Sequence, residues 1–521
     1  MRFFRPSRLY SPVPSKLFVR LAALAAIAVA IAGYFAAIAA YDPIPDESWM
    51  VLAASRMAAG EELYLDIFCG VTPLSFQLQW ALQSVFGAGI AVLRAVNFAL
   101  FAATLLLLLA AGVCLRYSRT QLTVLLCATV VWAAPPQNSV YSAWAVLFSL
   151  GSLLCALRLL QTPFAPRWGA AAGLLAGLAF SAKQNIGLLC FAALLAGVYA
   201  ARPRKAIRAL PGAAAMFLLA ALIPLLPVLL SGAFVEFFRM GFSNKTVYLE
   251  VASLPYWRFV HLTPFALWEH FGGPAGTLLW GRFSLYIAPA ALLAALLLGR
   301  KLLAPRHAAL RLQLLFAAAA TAFVFPRPDP DHILLCAPFV ALAVVSLLPL
   351  AFPNPATHRF IALPVAILAV LQFYSWSGQI QNPQPAQTPA ITAFRSLRLS
   401  PPFAAWAEAA ATLPSIAGQQ RILILHPLAS TIYLASGIEN PTPFDYPLRS
   451  AFGPNGQQQV IGHIRAGIVP AVCLSDSSWG GSAVWRSFPP GELIAFVHQE
   501  MIPGVNAAIC RIYVPSTTPG R

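Results

Sequence analysis

The chain has 521 residues, of which 59% are hydrophobic and 10% are charged. Soluble domains carry about 25% charged residues, and several apolar runs here approach the ~20 residues that a helix needs to cross a bilayer. The net charge of +17 comes from bases in short loops between apolar segments, as in the cytoplasmic loops of membrane proteins. The composition therefore excludes a soluble protein and indicates no nucleic-acid partner. The eight cysteines include no CxxC pair, so no zinc or redox motif is predicted.

The first predicted membrane span follows a basic N-terminus and ends at Ala40. Its apolar run is longer than the roughly 7–15 residues of a signal-peptide core, so we predict a retained anchor whose N-terminus is cytoplasmic. Ten further spans are predicted near residues 88–114, 121–135, 139–160, 168–183, 186–201, 209–231, 283–300, 309–325, 332–351 and 358–376. Loops rich in bases alternate with loops that have no such excess, which agrees with about eleven spans and places the C-terminus outside.

Residues 41–87 are predicted to form an outer loop that is unusually acidic. The stretch 42–66 holds six of the 17 carboxylates of the chain against a single base, Arg56. Asp46 is predicted to cap the first of two short helices in this loop. Acidic groups beside a membrane are costly unless they stay hydrated or have a function. This loop is therefore where we expect a catalytic base.

Three further segments complete the predicted organisation. Residues 232–282 form a second outer segment, whose many Phe, Tyr and Trp residues suit the membrane interface. Residues 378–400, rich in Pro and Gln, are predicted to link the membrane domain 1–377 to a small α/β domain, 401–521. Its predicted strands lie in 422–425, 468–474 and 507–514, and its helices near 457–465 and 491–500. The predicted fold class is thus mainly α, a polytopic membrane protein with a small α/β domain outside.

The small domain holds two cysteines, Cys473 and Cys510, on two of its predicted strands. By the predicted topology they face an oxidising compartment, where one interpretation is a disulfide. The interpretation that we prefer from the sequence alone is two small buried thiols. The domain shows no nucleotide-binding fingerprint.

Several motifs together resemble a known family. The order PDE (45–47), LAA (52–54) and Y-x-D (64–66), followed by FGAGIAVLRAVN (86–97), resembles the first outer loop and second span of bacterial polytopic glycosyltransferases. These are GT-C fold enzymes of the protein O-mannosyltransferase and aminoarabinose transferase type. GLAFSAKQNIG (177–187) and FPRPDPDHILLCAPF (325–339) resemble segments at comparable places in those proteins. The resemblance implies a sugar donor carried on a polyprenyl phosphate, an outward-facing active site and inversion at the anomeric carbon.

The reaction that the resemblance implies needs a base that takes the proton of the acceptor hydroxyl. Asp46 and Glu47 are the candidates, and the family places this role on the Asp of the pair. Alternatively, Asp46 is only a helix cap, and Glu47 either orients the acceptor or is an acid favoured by the helix dipole. Tyr64 and Asp66 are candidate sugar-binding residues, although Asp66 could simply end a surface turn.

The same reaction needs cations that hold the departing phosphate, because negative charge grows there in the transition state. Arg94 and Lys183 are predicted at the outer-leaflet level of their spans, where a charge is a functional candidate by default. The alternative is that both extend to lipid headgroups. Arg327 and His332 flank the outer end of a later span and are weaker candidates for the same phosphate.

No cofactor is expected to be required, and a divalent metal is not excluded. Asp329 and Asp331 form a DxD sequence that could bind a metal, but we prefer Asp331 as the cap of the following helix. The rival functions are a lipid-linked glycan flippase or transporter, which would favour repeats and broken helices, and a polysaccharide ligase or polymerase. The expected acceptor is a lipid, glycan or protein. The expected location is the cytoplasmic (inner) membrane, with the C-terminal domain periplasmic or extracellular.

Overall fold

The computed structural model describes residues 14–133, 140–161, 166–201, 203–254, 307–328, 330–381, 391–480 and 485–516. Within this part of the chain, seven helices are long and apolar enough to cross a membrane. They are Lys16–Ala40, Ile90–Cys114, Ser142–Gln161, Gln184–Ala201, Arg208–Leu230, Leu334–Ala351 and Pro355–Gly378. Arg119–Trp132 and Ala308–Ala322 are shorter apolar helices. The protein is a mainly helical, multi-pass membrane protein, as the sequence predicts.

The helices up to the last span are labelled in chain order. They are α1 Lys16–Ala40, α2 Pro45–Ala58, α3 Leu74–Phe86, α4 Ile90–Cys114, α5 Arg119–Trp132, α6 Ser142–Gln161, α7 Pro166–Ala182, α8 Gln184–Ala201, α9 Pro203–Leu222, α10 Leu226–Leu230, α11 Phe234–Phe238, α12 Lys245–Ala252, α13 Ala308–Ala322, α14 Pro330–Ile333, α15 Ala337–Ala351 and α16 Pro355–Gln381. A π-helical turn, Arg239–Ser243, precedes α12. The span predicted at 283–300 lies outside the described residues, and the predicted count of eleven spans is not established.

Small residues allow the membrane helices to pack closely. A Cβ on Gly173 of α7 would lie 2.0 Å from the carbonyl oxygen of Ala213 on α9. One turn later, a Cβ on Gly177 would lie 2.4 Å from the carbonyl oxygen of Phe217. In a bilayer, where apolar side chains gain little by leaving lipid, such close backbone contacts are a main source of helix association.

The acidic loop 41–87 folds into α2 and α3, but α2 does not begin as the sequence predicts. Its N-cap residue is Ile44, Pro45 occupies the first helical position, and Asp46 lies inside the first turn. Proline is favoured there because its fixed φ suits the helix and its missing N–H would be unpaired anyway. The Glu47 carboxylate accepts a hydrogen bond from the Ile44 N–H at 3.1 Å. The prediction that Asp46 caps this helix was therefore wrong.

The C-terminal region forms a mixed four-stranded sheet with helices around it. The strands are β1 Leu423–Leu425, β2 Val472–Leu474, β3 Met501–Asn506 and β4 Arg511–Pro515. The helices are α17 Pro401–Ala411, α18 Leu413–Ala417, α19 Ala429–Ser436, α20 Arg449–Phe452, α21 Gly456–Arg465, α22 Asp476–Gly480 and α23 Gly491–Glu500. The strand order is β1-β2-β4-β3, with β1 and β2 parallel and the other pairs antiparallel. Strand β3 was missed because it contains Pro503 and Gly504, which are depleted in strands.

The two cysteines of the small domain are paired in a disulfide, Cys473–Cys510. The preferred interpretation of two separate thiols was therefore wrong. Strand β2 pairs with β4 in antiparallel register, with Cys473 opposite Ile512, so Cys510 lies just before the paired residues. The two Cα atoms are 5.6 Å apart, within the range that a disulfide spans. Pairing of this kind is a property of the sheet register, which the sequence does not show.

The small domain and the acidic loop share one hydrophobic core. Trp49, Phe68 and Phe76 from the loop belong to the same buried cluster as Phe444 and Phe452 from the small domain. A separate cluster fills the membrane helices. Burial of such aromatic side chains stabilises a contact strongly. The small domain is thus packed against the acidic loop of the membrane domain.

Candidate active site

A cavity of about 310 Å³, here called the outer cavity, lies where the acidic loop meets the small domain. The start of α2 contributes Asp46 and Trp49 to its wall. The small domain contributes Tyr446, Ser450 and Phe488 among others. Further lining residues come from the start of α6, from α12 and from the segment before α14. A concave, mostly apolar site with a few converging polar groups is typical of ligand binding.

A second cavity of about 430 Å³, here called the lateral groove, adjoins the first. Its lining is mainly apolar, and two of its side chains, Leu188 and Phe325, are 55% and 53% exposed at the surface of the described residues. Five residues line both cavities, and we call them the neck: Val71, Tyr141, Lys245, Tyr248 and His332. The neck combines two basic side chains, Lys245 and His332, with the phenol groups of Tyr141 and Tyr248. Because these residues line both cavities, an anion bound to them would lie where the outer cavity and the lateral groove adjoin.

Asp46, a predicted catalytic residue, is half-buried and lines the outer cavity. Burial raises the pKa of both Tyr141 and Tyr446, and the negative charge of Asp46 raises these pKa values further. The positive charge of Arg327 lowers the pKa of the same two tyrosines. Both charges therefore lie close to the aromatic wall of this cavity.

Glu47 and Arg94, also predicted site residues, form a fully buried ion pair. The Nε and Nη2 groups of Arg94 each donate to a Glu47 carboxylate oxygen at 2.8 Å. The remaining N–H groups donate to the carbonyl oxygens of Ala37, Tyr41 and Asp42 at 2.7 to 3.1 Å. A guanidinium has five N–H donors, and these five hydrogen bonds use all of them. The geometry therefore supports a structural role for Arg94, which ties α4 to α1 and α2, in place of the phosphate contact predicted for it.

Tyr64 and Asp66, predicted to bind sugar, lie in the turn after α2 and are not among the described lining residues of either cavity. Tyr64 is fully buried with a positive φ of 73°, and its hydroxyl donates to the Val71 carbonyl oxygen at 2.7 Å. The Asp66 carboxylate is exposed and accepts from the Glu62 N–H at 2.9 Å. Both contacts stabilise the turn, which agrees with the alternative interpretation of Asp66.

Lys183 lies between α7 and α8 and lines the lateral groove. Its ammonium donates to the Ser142 hydroxyl at 2.9 Å and lies 5.0 Å from the centre of the Tyr141 ring. It is thus beside the neck, and the phosphate contact predicted for it stays a prediction.

Lys245 is a neck residue that the sequence analysis missed. Its ammonium is 5.4 Å from the centre of the Tyr248 ring, and a Cβ on Gly70 would lie 3.3 Å from it. Burial lowers the pKa of Lys245 to about 8. The available signal was the single lysine of the aromatic segment 232–282, which we interpreted only as an interfacial stretch.

Arg327 and His332, the weaker phosphate candidates, both line the outer cavity, and His332 also belongs to the neck. The Arg327 guanidinium lies 5.5 Å from the centre of the Phe488 ring in the small domain. The described residues contain no group of three His, Cys, Asp or Glu side chains that could hold a metal ion. Asp329 and the side chain of Asp331, the proposed DxD pair, lie outside what the structure describes.

Helix α12, which carries Lys245 and Tyr248, is held by the small domain. The Asn244 side chain donates to the Ala451 carbonyl oxygen at 3.0 Å. A Cβ on Gly453, whose φ is +65°, would lie 2.1 Å from the Asn244 side-chain oxygen, so this close approach requires glycine. At the rim, Arg449 and Glu250 form an exposed ion pair at 2.7 Å. The small domain therefore helps to place the neck.

Comparison with known proteins shows which fold this arrangement belongs to. No protein-family model and no curated protein matches the sequence. The crystal structure of ArnT from Cupriavidus metallidurans bound to undecaprenyl phosphate is similar, with a TM-score of 0.56, 14% identity, and coverage of 95% of this chain and 98% of that chain. Its apo state gives a TM-score of 0.57 and 13% identity over 94% and 97% of the two chains.

A third similar structure is the Archaeoglobus fulgidus oligosaccharyltransferase in complex with Zn and sulfate. Its TM-score is 0.50 at 13% identity, over 96% of this chain and 73% of that chain. At such low sequence identity the similarity concerns only the fold, and the three structures each cover 94–96% of this chain. ArnT, an aminoarabinose transferase, and the oligosaccharyltransferase are both GT-C glycosyltransferases. The present chain therefore has the GT-C fold.

Proposed function

We propose that the protein is a membrane glycosyltransferase that moves a sugar from a polyprenyl-phosphate donor to an acceptor hydroxyl. The observation that carries this proposal is the neck, whose residues, Lys245 and His332 among them, line both a cavity that contains Asp46 and an apolar groove. A substrate that matches the groove, the neck and the outer cavity would carry a long apolar chain, an anionic phosphate and a sugar, in that order. The similar ArnT structure is bound to undecaprenyl phosphate, which supports this donor class.

The donor would lie with its polyprenyl chain in the lateral groove and its phosphate at the neck. Exposed apolar side chains at the groove, such as Leu188 and Phe325, are compatible with a lipid chain entering from the bilayer. Lys245 and His332 would contact the phosphate, with Lys183 and Arg327 on either side of them. Hydrogen bonds between a cation and phosphate are about twice as strong as neutral ones, and more so away from water.

The transfer is then a single displacement at the anomeric carbon. An acceptor oxygen attacks that carbon, the bond to the phosphate oxygen breaks, and the polyprenyl phosphate leaves with the electron pair. Asp46 takes the acceptor proton, and the N–H donors of Lys245 and His332 stabilise the charge that grows on the phosphate. One such displacement inverts the anomeric configuration. Glu47 would act indirectly, because its ion pair with Arg94 fixes the first turn of α2 and hence Asp46.

The proposed orientation has the N-terminus in the cytoplasm and the small domain outside the cytoplasmic membrane. The disulfide Cys473–Cys510 supports it, because disulfides persist in oxidising compartments. The active site would then face the outer leaflet.

The proposal is tested by incubating the purified full-length protein in detergent with a panel of undecaprenyl-phosphate sugars and membrane-derived acceptors. The expected result is release of undecaprenyl phosphate together with a glycosylated acceptor. If the protein instead moves a fluorescent lipid-linked sugar across a liposome bilayer and leaves it chemically unchanged, the flippase function replaces this proposal.

The protonation of Lys245 gives a prediction about pH. Since its pKa is about 8 in the protein, the ammonium is present at pH 7 and is lost as the pH rises above 8. The kcat/KM for the donor reports groups of the free enzyme, so it should fall about tenfold for each pH unit above pH 8 until another step limits it. The Lys245→Arg variant stays charged and should keep a flat profile. The same fall in the Arg variant would show that another group titrates.

A further inference from the structure

Trp49 lies at the centre of a cluster of aromatic side chains at the wall of the outer cavity. Its ring centre is 6.0 Å from that of Phe68, 6.0 Å from that of Tyr141 and 6.1 Å from that of Tyr446. All four residues line the cavity, and we call them the aromatic floor. The floor joins residues from the acidic loop, the start of α6 and the small domain. It combines apolar ring faces with the hydroxyl groups of two tyrosines.

The part of the outer cavity away from the neck is formed by α2 and the small domain. Leu448, Ser450 and Phe488 line the outer cavity but not the lateral groove. If the donor phosphate lies at the neck, this part of the cavity remains for the second substrate. Asp46 lies three residues before Trp49 on α2, so both side chains are on one face of the helix. A molecule resting on the Trp49 ring would thus lie next to the proposed base.

A buried ion pair holds the small-domain side of the floor in place. Arg56 of α2 donates to the Asp445 carboxylate at 2.6 Å, and Asp445 directly precedes Tyr446. Asn440 donates to the same carboxylate oxygen at 2.9 Å. Burial raises the pKa of Asp445, whereas Arg56 lowers it. Nearby, the Thr431 hydroxyl donates to the Ser48 hydroxyl at 2.9 Å. These contacts make the floor a preformed surface.

We propose that the aromatic floor is the acceptor subsite and that the acceptor presents a sugar ring to it, an inference that rests on the glycosyltransferase function proposed above. A sugar ring has an apolar face of C–H groups, which packs on aromatic rings, and an edge of hydroxyls, which hydrogen-bond with Ser450 and the tyrosines. Among the described lining residues, Asp46 is the single carboxylate, so the cavity favours a neutral or anionic acceptor.

The structure favours a sugar ring over the hydroxyl of a serine or threonine in a peptide. A serine or threonine side chain would fill little of the cavity of about 310 Å³, whereas a ring of five or six atoms with its hydroxyl groups would fill more of it. Trp49 is 5% exposed, and none of the residues that the structure describes accepts a hydrogen bond from its indole N–H. Buried donors are almost always paired, and a sugar oxygen at the edge of this ring would pair with it.

The test measures binding and does not depend on catalysis. The full-length protein in detergent, with undecaprenyl phosphate present, is titrated with the methyl glycosides of glucose, galactose, mannose, glucosamine and N-acetylglucosamine and with a capped serine dipeptide. Saturation-transfer NMR detects the weak binding of such small probes. We expect at least one glycoside to bind through its ring C–H protons, with affinity lowered about three- to tenfold in Trp49→Phe, the loss that one neutral hydrogen bond implies.

A matched control is Trp479→Phe. Trp479 is 4% exposed, its indole N–H is also without an acceptor in the described residues, and it lies in α22, away from the floor. This variant should bind the glycoside as the wild type does. If Trp49→Phe does not fold, Tyr446→Leu gives the same comparison. Equal affinity in the floor variants and the control, binding of the peptide in preference to every glycoside, or no glycoside binding would each overturn the inference.

The two proposals can fail separately. Binding of a glycoside that depends on Trp49, without transfer from any lipid-linked sugar, would remove the proposed function and leave the subsite in place. Transfer to an acceptor whose binding does not depend on the floor would remove the subsite and leave the proposed function.

Discussion

Replacing Asp46 by Asn should lower kcat by about 10²- to 10⁴-fold, the usual effect of removing a positioned general base. The folded protein should be nearly unchanged, because Asp46 is not the cap of α2 and lies half-buried at the wall of the outer cavity. Loss of an acid in the first helical turn costs at most about 1 kcal/mol of stability. Turnover and thermal unfolding of the purified variant check both expectations.

The matched control for Asp46→Asn is Glu62→Gln. Glu62 is an exposed carboxylate of the same acidic loop, and it is not among the described residues that line the outer cavity or the lateral groove. Its replacement should leave kcat unchanged. Donor affinity should survive in both variants because the proposed phosphate contacts lie at the neck. A fully active Asp46→Asn protein would show that another group takes the acceptor proton.

Breaking the Glu47–Arg94 ion pair should have the largest effect on folding. Both side chains are fully buried, so Arg94→Gln leaves the carboxylate without its partner and should destabilise the protein by about 3–5 kcal/mol. The exposed pair Arg465–Glu500 provides a control, since Arg465→Gln should cost less than about 1 kcal/mol. Thermal unfolding in detergent compares the variants.

The double variant Glu47→Gln and Arg94→Gln separates the two roles that have been considered for Arg94. If the pair is structural, the second substitution should recover part of the stability that the first one lost, since neither charge is then left alone. An Arg94→Gln protein with normal stability and a large loss of donor affinity would instead restore the phosphate contact that the sequence predicts.

The sequence shows the membrane helices and the acidic loop, but not which of its charges meet. Apolar length alone predicts α1, α4 and α6 within a few residues, because each must cross the same bilayer thickness. Arg94 has no acidic neighbour in sequence, yet it meets Glu47 because α4 packs beside the end of α1. A partner 47 residues away is a consequence of packing, and no local pattern reports it.

The candidate site could be predicted only where a charge had a distinctive sequence context. Asp46 is prominent because carboxylates are rare in the first half of the chain. Lys245 lies in an aromatic segment whose composition also suits a membrane interface. Its place at the neck depends on the packing of α12 against the small domain, which the sequence does not show. The cavity wall from Tyr446 to Ala451 could not be predicted, since it depends on how the small domain packs onto the acidic loop.

The most direct test of this account is a cryo-electron microscopy structure of the protein with undecaprenyl phosphate. The account predicts that the phosphate lies at the neck, within hydrogen-bond distance of Lys245 or His332, and that the lipid chain follows the lateral groove past Leu188. A phosphate held elsewhere, with the neck closed between the two cavities, would contradict it.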